Sequence, residues 1–428
     1  MCSASAWGEP FRPAGELVVA TAVSTLADTV AAVRELALKL GAGRAGLPDF
    51  VTMHHGSARP AVRLWPAACE AFGAGALHGA SSCMGVMTGE GFVRGDGDAI
   101  GAFAIWDPAG SYGSAMVALG DAPRAAAAEA TRAALTRAGR PGEAPELVWL
   151  TASPGHEEAI LEGIKDVIGR PALIVGGSAA DNTVAGEWSV FSSDGVSGAA
   201  VAVSVLFPST PFGCAFESGY APTRLQGVVT DAEGRRLLEI DGRPAAEVYA
   251  EWTDGRIEVP RAGSRSILSE ATLRPLGRAY TDIAGIPIHL LAHPAIVHAD
   301  GSLDLFADVG RGEEICLMTG SEESLVQRAG RIARSSREQL GSVQPAGALM
   351  VYCGGCMLAV QDRMDEVAAG VADSLGGVPI LGVFSFGEQG ELLDGDSAHG
   401  NLMISCTTFG CSSAQGQQRP LNGFGNFK

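Results

Sequence analysis

The chain has 428 residues, of which 46% are hydrophobic and 18% charged, so it can bury enough apolar surface to exclude a mostly disordered protein. Thirty basic and 48 acidic side chains give a net charge of −18, which repels phosphate backbones and anionic lipids and argues against nucleic acid or membrane partners. The longest nearly apolar stretch, 198–207, reaches about half of the ~20 residues that cross a bilayer, and the N-terminus lacks the pattern of a signal peptide. We therefore expect a soluble, cytoplasmic protein.

Apolar runs alternate with helical patterns along the first half of the chain, which is typical of an α/β fold. The runs 99–106 and 114–119 follow one another without a helix and predict an antiparallel pair. The runs 188–191 and 199–207 predict a hairpin about the Asp194-Gly195 turn. The predicted strands are 17–23, 50–55, 76–82, 99–106, 114–119, 146–152, 172–175, 188–191 and 199–207, and the predicted helices are 25–40, 66–72, 123–138 and 154–168.

Pro208 and Pro211 mark a boundary between two domains, because two prolines in four residues interrupt any element that crosses them. The pattern predicts an α/β fold of two domains, at 17–208 and 212–411, each with mixed β-sheets flanked by helices. A polar segment, 412–428, is expected to be a mobile tail. Beyond the boundary the predicted strands are 214–218, 226–230, 237–240, 287–298, 348–352, 378–385 and 402–408, and the predicted helices are 243–249, 321–340 and 357–375.

Three segments share one design, in which an apolar strand delivers glycine and serine into a polar loop. Strand ends of this kind border the ligand crevice in α/β sheets, and small residues let a bound molecule approach backbone N–H groups. We therefore expect the serine hydroxyls of these corners to hydrogen-bond a ligand. The segments are 77–83, 173–178 and 380–385, and their serines are Ser81, Ser178 and Ser385.

Acidic and amide side chains follow these serines. Asp181 and Asn182 come directly after the second corner, and Glu388 follows the third. One reading is ligand recognition, in which Asp181 or Glu388 pairs a ligand cation and Asn182 fixes its orientation. The other is an Asx-type turn that caps its own backbone. Ser178 also stands where an acyl-transfer nucleophile would, but its surroundings lack the G-x-S-x-G elbow.

The nine cysteines are too few and too irregular for a disulfide scaffold, which fits a reducing compartment. Cys353 and Cys356 stand between a strand and a helix start, where amide dipoles could depress a thiol pKa, so they could form a redox pair or serve a thiol enzyme. They could equally be two small buried side chains at a tight turn. With Cys406 and Cys411 they make four thiols, enough for zinc, but the spacing matches no zinc module.

Eight histidines are available as ligands. His289 and His293 lie four apart on a predicted strand, about 13 Å from one another by the rise per residue, so they cannot share a metal. His54 and His55 are adjacent on a strand and point to opposite faces. A single axial haem ligand remains an alternative, and no metal site is predicted.

Several loops together resemble those of FIST proteins, and the chain is similar to a FIST N-terminal domain joined to a FIST C-terminal domain over 17–411. The resemblance implies a sensory protein of signal transduction that is not an enzyme, that binds a small ligand such as an amino acid, and that acts with a separate histidine kinase or chemoreceptor. We expect Cys83 and Cys353 to shape the pocket wall and no cofactor to be needed, although one family branch senses nitric oxide through haem. The loops that carry the resemblance are 176–182 with the Trp-Ser-Val-Phe segment after it, 239–249, 348–353 and 382–388.

Overall fold

The structure is a computed structural model that describes residues 16–73, 75–283, 286–392 and 395–411, without the side chains of 281–287. The tail predicted at 412–428 lies outside these residues. The described chain forms three mixed sheets and one antiparallel sheet, with helices packed on them, so the predicted α/β class with mixed sheets flanked by helices is confirmed. Every helix in the described ranges is too short or too polar to span a bilayer.

Two consecutive repeats have the same order of elements. The first repeat contains β1 (Val18–Ser24), α1 (Thr29–Gly41), β2 (Phe50–Gly56), α2 (Ala61–Phe72), β3 (Ala76–Ser82), β4 (Val86–Thr88), β5 (Gly91–Val93) and β6 (Ile100–Trp106). The second repeat contains β7 (Ser111–Ala118), α3 (Pro123–Arg137), β8 (Leu147–Ala152), α4 (Glu157–Ile168), β9 (Ile174–Ser178), β10 (Val190–Ser192), β11 (Gly195–Ser197) and β12 (Ala200–Phe207).

A third repeat follows, interrupted after its first strand by an inserted unit of antiparallel strands. The third repeat begins with β13 (Phe212–Ser218). The inserted unit contains β14 (Ala221–Glu233), β15 (Arg236–Ile240), β16 (Arg243–Pro244), α5 (Ala245–Trp252), β17 (Ser264–Ser266), α6 (Leu268–Ala271), β18 (Leu276–Ile283), β19 (Ile286–Ala292), β20 (Pro294–His298), β21 (Leu303–Leu305) and β22 (Glu314–Thr319). The repeat resumes with α7 (Glu322–Glu338), β23 (Pro345–Cys353), α8 (Gly354–Ala359), a 3₁₀ turn (Gln361–Arg363), α9 (Met364–Leu375), β24 (Ile380–Ser385), β25 (Glu388–Glu391), β26 (Ser397–Gly400) and β27 (Met403–Gly410).

The three repeats close into a ring by exchanging hairpins. The sheet orders are β1-β6-β2-β3-β10-β11, β7-β12-β8-β9-β25-β26 and β13-β27-β23-β24-β4-β5, which are equivalent element for element. The hairpin of the second repeat pairs with the first sheet, that of the third with the second, and that of the first with the third. The three glycine and serine corners of the sequence are therefore one structural position repeated three times.

The core lies where the inner faces of the three sheets meet. Large side chains from every repeat are buried there, among them Phe103, Trp149 and Phe409. Helices α1 and α2, α3 and α4, and α7 and α9 cover the outer faces. Because both faces of the sheets are covered, strands such as β6 and β12 are continuous apolar runs rather than alternating patterns. Burial of each large side chain contributes about 1.5–3 kcal/mol.

Two predicted strand pairings are wrong. The strand at 99–106 forms β6, which pairs with β1 and β2, whereas the next strand, β7, pairs with β12 in the second sheet. The turn at Asp194-Gly195 forms, but it joins β10 to the short β11, whereas β12 pairs with β8 in the second sheet. Local patterns identified these strands, but pairing depends on the ring, whose partners lie far away in sequence.

Three helix starts show how side chains decide an N-terminus. The helix predicted at 154 begins at Glu157, because Ser153 Oγ donates a hydrogen bond to the Gly198 carbonyl instead of capping a helix. Asp28 caps α1, its carboxylate accepting from the Ala31 N–H at 2.7 Å. The start predicted near Ser321 is confirmed, and that side chain forms a reciprocal capping box with the third residue of α7.

Candidate functional site

The three serine corners converge on one point inside the ring. Ser81, Ser178 and Ser385 have equivalent registers, lying opposite His55, Ala152 and Cys353 on the neighbouring parallel strands. All three serines are buried and line one small space, together with Trp149. We call this space the serine centre. The sequence placed these residues at strand ends, and ring closure brings them together.

The serine centre has room for a water molecule but not for a metabolite. Its volume is about 10 Å³, roughly the space that one water needs. Backbone hydrogen bonds join the corners across it: the Ala180 N–H donates to the Ser81 carbonyl and the Phe386 N–H to the Ser178 carbonyl, each at 3.2 Å. The Cys83 N–H donates to the Phe384 carbonyl at 3.0 Å. These contacts give the serine centre a role in holding the ring closed.

The serine hydroxyls already have protein partners. Ser178 Oγ donates to Glu157 Oε1 at 2.6 Å, and Ser81 Oγ accepts from the Ser189 N–H at 2.9 Å. Burial raises the pKa of Glu157, but His399 and the Arg235 guanidinium outweigh that effect and lower it to about 2. A carboxylate with so low a pKa is a poor general base for the Ser178 hydroxyl.

A larger cavity of about 230 Å³ lies beside the serine centre, between the inserted unit and the third repeat. We call it the Cys353 cavity. None of the described residues that line it has a charged side chain. Its lining consists of Val184 from the second repeat, Leu268, Ser269, Thr272, His293 and Phe306 from the inserted unit, and Cys353, Gly355, Leu358, Ala359, Phe386 and Asn401 from the third repeat.

Two polar side chains of the Cys353 cavity have unused hydrogen-bonding capacity. Asn401 is 2% exposed, and its Nδ2 is buried without a hydrogen-bond partner in the described chain. His293 uses Nε2 to contact the Leu268 carbonyl at 3.0 Å, while no described hydrogen bond involves Nδ1. Burial lowers the pKa of His293 to about 4, so the ring is neutral at neutral pH. Neither residue belongs to a local motif, and sequence reasoning did not identify them as ligand contacts.

Cys353 lines this cavity as a protonated thiol. Burial, with the adjacent Cys356 thiol, raises the pKa of Cys353 well above its usual range, which contradicts the depression expected from the helix start. Cys356 is fully buried, with its sulfur 3.5 Å from Tyr220 Oη. The four thiols considered for zinc do not form a metal-ligating group in the described chain.

Asp181 holds a loop that contributes to the cavity wall. Its carboxylate accepts hydrogen bonds from the backbone N–H groups of five consecutive residues, 183–187. Within that loop Val184 has φ +58°, a left-handed conformation that strongly disfavours a β-branched residue. Of the two readings of Asp181, these contacts favour loop capping. The strained Val184 is thereby held against the Cys353 cavity.

The remaining predicted residues are bonded to protein groups or packed in the core, and Asn182 joins the second repeat to the first. Asn182 Oδ1 accepts from the Met84 N–H at 2.7 Å, and its Nδ2 donates to the Gly97 carbonyl at 3.1 Å. Cys83 is buried, which raises its pKa to about 12. Glu388 contacts Ser385 Oγ at 2.6 Å and accepts from the Met403 N–H, and burial raises its pKa well above the usual range. Of the eight predicted residues, Cys353 is the one that lines the larger cavity.

An ion-pair network connects the serine centre to the inserted unit. Arg235 contacts Glu157 at 2.5 Å and Glu158 at 3.0 Å, and Glu158 also accepts from the Asp308 N–H. The two glutamates and His399 lie close enough to hold a metal ion. However, both nitrogens of His399 are hydrogen bonded, to Gln389 Nε2 and the Phe306 carbonyl, and Arg235 already pairs with both glutamates. The arrangement fits an ion pair between units, not a metal centre.

Comparison with known proteins identifies the family but not a close relative. No curated protein matches the chain. Eleven solved chains match, including cyanuric acid hydrolase from A. caulinodans at 11% identity and a TM-score of 0.38, covering 91% of this chain and 99% of that chain. Models of the FIST N domain and the FIST C domain match residues 49–243 and 245–391. The chain therefore belongs to the FIST family, whose domains are associated with sensory roles in signal transduction.

Proposed function

We propose that this protein is a cytoplasmic sensor that binds a small uncharged molecule in the Cys353 cavity and relays its occupancy to a separate partner, such as a histidine kinase or chemoreceptor. The observation that carries the proposal is Asn401 Nδ2, a buried donor without a partner in the described chain, on a residue that lines a mainly apolar cavity. A donor left in this state costs about 1–3 kcal/mol, and a bound acceptor would remove that cost. Pockets that combine an apolar lining with a few unsatisfied polar groups are typical ligand sites.

The absence of charge in the described lining is the reason to propose an uncharged ligand. A free amino acid, which the family resemblance implied, carries an ammonium and a carboxylate. Burying either one without a partner of opposite charge is strongly unfavourable. The two buried carboxyl groups of the predicted site, Asp181 and Glu388, do not line this cavity and are bonded to protein groups.

The position of the Cys353 cavity supports a relay through the inserted unit. A ligand there would contact Leu268 and Phe306 of the inserted unit and Phe386 of the third repeat at the same time. It would therefore favour the arrangement of the two units in which both walls are in contact. Ligands that discriminate between two arrangements typically shift their balance by about 1–3 kcal/mol.

Haem, the alternative cofactor implied by the family resemblance, does not fit these residues. It needs an axial ligand open to a space that holds the macrocycle. His293 Nδ1 is a candidate ligand, but about 230 Å³ is less than the roughly 300–1,000 Å³ of pockets for drug-sized ligands, and a porphyrin is larger than those ligands. His55 and His78 are buried in the ring with both ring nitrogens hydrogen bonded.

The proposal is tested by filling the cavity. Leu358 lines it and is 44% exposed, so Leu358→Trp can place an indole in the cavity without entering the core. Leu26 is 45% exposed and does not line the cavity, so Leu26→Trp is the matched control. Native mass spectrometry of protein purified from its own host should show a small neutral adduct on the wild type and the control but not on Leu358→Trp.

Thermal shifts provide the second readout. Uncharged metabolites that raise the melting temperature of the wild type should raise that of the control equally and leave Leu358→Trp unchanged. An adduct retained by Leu358→Trp would place the ligand elsewhere. The proposal also fails if the wild type carries no adduct and no uncharged metabolite raises its melting temperature.

A further inference from the structure

We infer that the ligand of the Cys353 cavity is a small amide whose carbonyl oxygen accepts from Asn401 Nδ2 and whose N–H donates to His293 Nδ1. The inference rests on the proposed function, since it names the chemical class of the molecule sensed at that site. Neither residue was identified from the sequence as a ligand contact. The argument rests on the hydrogen-bonding state of these two side chains and on the cavity that they share.

The orientation of the Asn401 amide is determined by its neighbour. The backbone N–H of His293 is 3.1 Å from the Asn401 side-chain oxygen and can only donate, so this end of the amide must be the acceptor. Nδ2 is consequently the other end of the side-chain amide, and neither of its two N–H groups has an acceptor in the described chain. The Asn401 backbone N–H donates to the Leu291 carbonyl at 3.0 Å, which holds the residue in place. Asn401, which lines the cavity, therefore carries a positioned donor without a partner in the described chain.

The protonation of His293 follows by similar reasoning. The Leu268 carbonyl, 3.0 Å from Nε2, can only accept, so Nε2 must carry the proton. Because burial keeps the ring neutral, Nδ1 has no proton and is an acceptor. Its hydrogen-bonding capacity is not used by any described group. The cavity therefore has an acceptor on the residue whose backbone binds Asn401.

An amide matches this pair of groups because it presents an acceptor and a donor side by side. A carboxylate would place its charge against the lone pair of His293 Nδ1, and an ammonium would find no described acidic side chain in the lining. The rest of the wall is apolar, with Leu268, Phe306 and Phe386 available to contact a hydrocarbon body. A cavity of about 150 Å³ holds benzene, so about 230 Å³ accommodates a six-membered or seven-membered lactam.

The test uses three rings of one size: δ-valerolactam, cyclohexanone and cyclohexane. Affinities for the full-length protein are measured by ligand-observed NMR titration. We expect cyclohexanone to bind more tightly than cyclohexane, and the lactam about fivefold more tightly again, as one further hydrogen bond provides. Equal affinities for the lactam and the ketone would overturn the role of His293, and equal affinities for all three would overturn the inference.

Asn401→Asp then isolates the donor. This variant retains the oxygen that binds the His293 N–H and replaces Nδ2 with an oxygen of similar size, so the preference of the lactam and of the ketone over cyclohexane should fall at least fivefold. Gln327→Glu, the same change on the exposed surface of α7, should leave it unchanged. If Asn401→Asp does not fold, the ranking of the three rings on the wild type still decides the inference. Loss of the adduct in Leu358→Trp without any lactam preference would retain the proposed function and exclude the amide.

Discussion

The serine centre and the Cys353 cavity are neighbours built in part from the same corner of the third repeat, yet they differ greatly in volume. Ser385 faces the serine centre, whereas Phe386, the next residue, lines the Cys353 cavity. Their volumes are about 10 Å³ and about 230 Å³. The serine centre is lined by the equivalent corners of the three repeats. The Cys353 cavity lies where the inserted unit packs on the third repeat, and the other two repeats have no such inserted unit in the described chain.

The comparison shows that small residues at strand ends serve two different purposes in one protein. At the serine centre they allow three backbones to approach closely enough to exchange hydrogen bonds. At the Cys353 cavity Gly355 leaves space, because the facing wall comes from the inserted unit. The proposed ligand site therefore lies where the repeat is interrupted.

The largest expected effect comes from removing Arg235, whose ion pairs connect the serine centre to the inserted unit. Arg235→Met leaves Glu157, which is 1% exposed, without its cation, and breaking a buried pair in this way costs about 3–5 kcal/mol. Urea unfolding should show this loss. Arg236→Met, which removes an exposed pair with Asp300, should change the free energy of unfolding by less than about 1 kcal/mol. Similar losses in both variants would contradict the role of the network.

The same pair predicts a loss of stability in acid. The pKa of Glu157 is lowered from 4.5 to about 2 in the folded protein, so its contribution is present above pH 4.5 and is lost as the pH falls toward 2. That contribution is about 3 kcal/mol. The decline of unfolding free energy across this window should be shallower in Arg235→Met. Equal slopes for the two proteins would show that Arg235 does not set the protonation of Glu157.

Asp181→Ala tests the wall that the second repeat provides. The substitution removes the acceptor of five backbone N–H groups and should lower the free energy of unfolding by about 2–4 kcal/mol. Affinity in the Cys353 cavity should also fall, because Val184 loses the contacts that hold its strained conformation. Asp300→Ala, on the surface, is the control and should change neither quantity. A stable variant with altered affinity would instead indicate a direct ligand contact.

A matched pair of glycine substitutions distinguishes the serine centre from the Cys353 cavity. A Cβ at Gly177 would lie 2.7 Å from the Cβ of Ser385, so Gly177→Ala should lower stability by about 1–3 kcal/mol. A Cβ at Gly355 would lie 3.2 Å from Leu402, 3.6 Å from His293 and 3.7 Å from Cys353, the last two of which line the Cys353 cavity with Gly355. Gly355→Ala should therefore retain stability but weaken ligand binding. The reverse assignment of the two effects would refute the distinction.

The smallest expected effect concerns Glu388. Burial raises the pKa of Glu388 above the 4.5 of the unfolded chain, so the folded state favours the protonated form. The stability that this protonation contributes is present below pH 4.5 and is lost as the pH rises toward the raised pKa. Glu388→Gln imitates the protonated form and should remove this decline. Unfolding midpoints measured at pH 5 and pH 8 should differ less in the variant than in the wild type. An unchanged difference would mean that Glu388 is ionised in the folded protein.

Much of the fold could be predicted because its elements are locally encoded. The strands at 50–55, 76–82 and 146–152 were identified from short apolar runs, and α7 from its cap. The pairings of β6 and β12 could not be predicted, because each strand had several apolar partners and the ring selects among them. A threefold repeat was visible only as three glycine and serine corners.

The site divides in the same way. Cys353 could be identified because it ends an apolar strand. His293 and Asn401 lie on separate loops and meet through the hydrogen bond from the His293 backbone N–H to the Asn401 side-chain oxygen. No local spacing connects them. Asp181 was recognised as a residue of interest, although the alternatives of ligand recognition and loop capping required its hydrogen bonds to separate them.

The amino-acid sequence by itself determined which segments form strands and helices and which corners carry glycine and serine, because periodicity and turn chemistry act over a few residues. The tertiary structure alone decided that three corners form one centre and that the Cys353 cavity lies beside it. The physical reason is that hairpin exchange and the docking of the inserted unit are contacts between distant parts of the chain. Their geometry depends on the complete set of sheets.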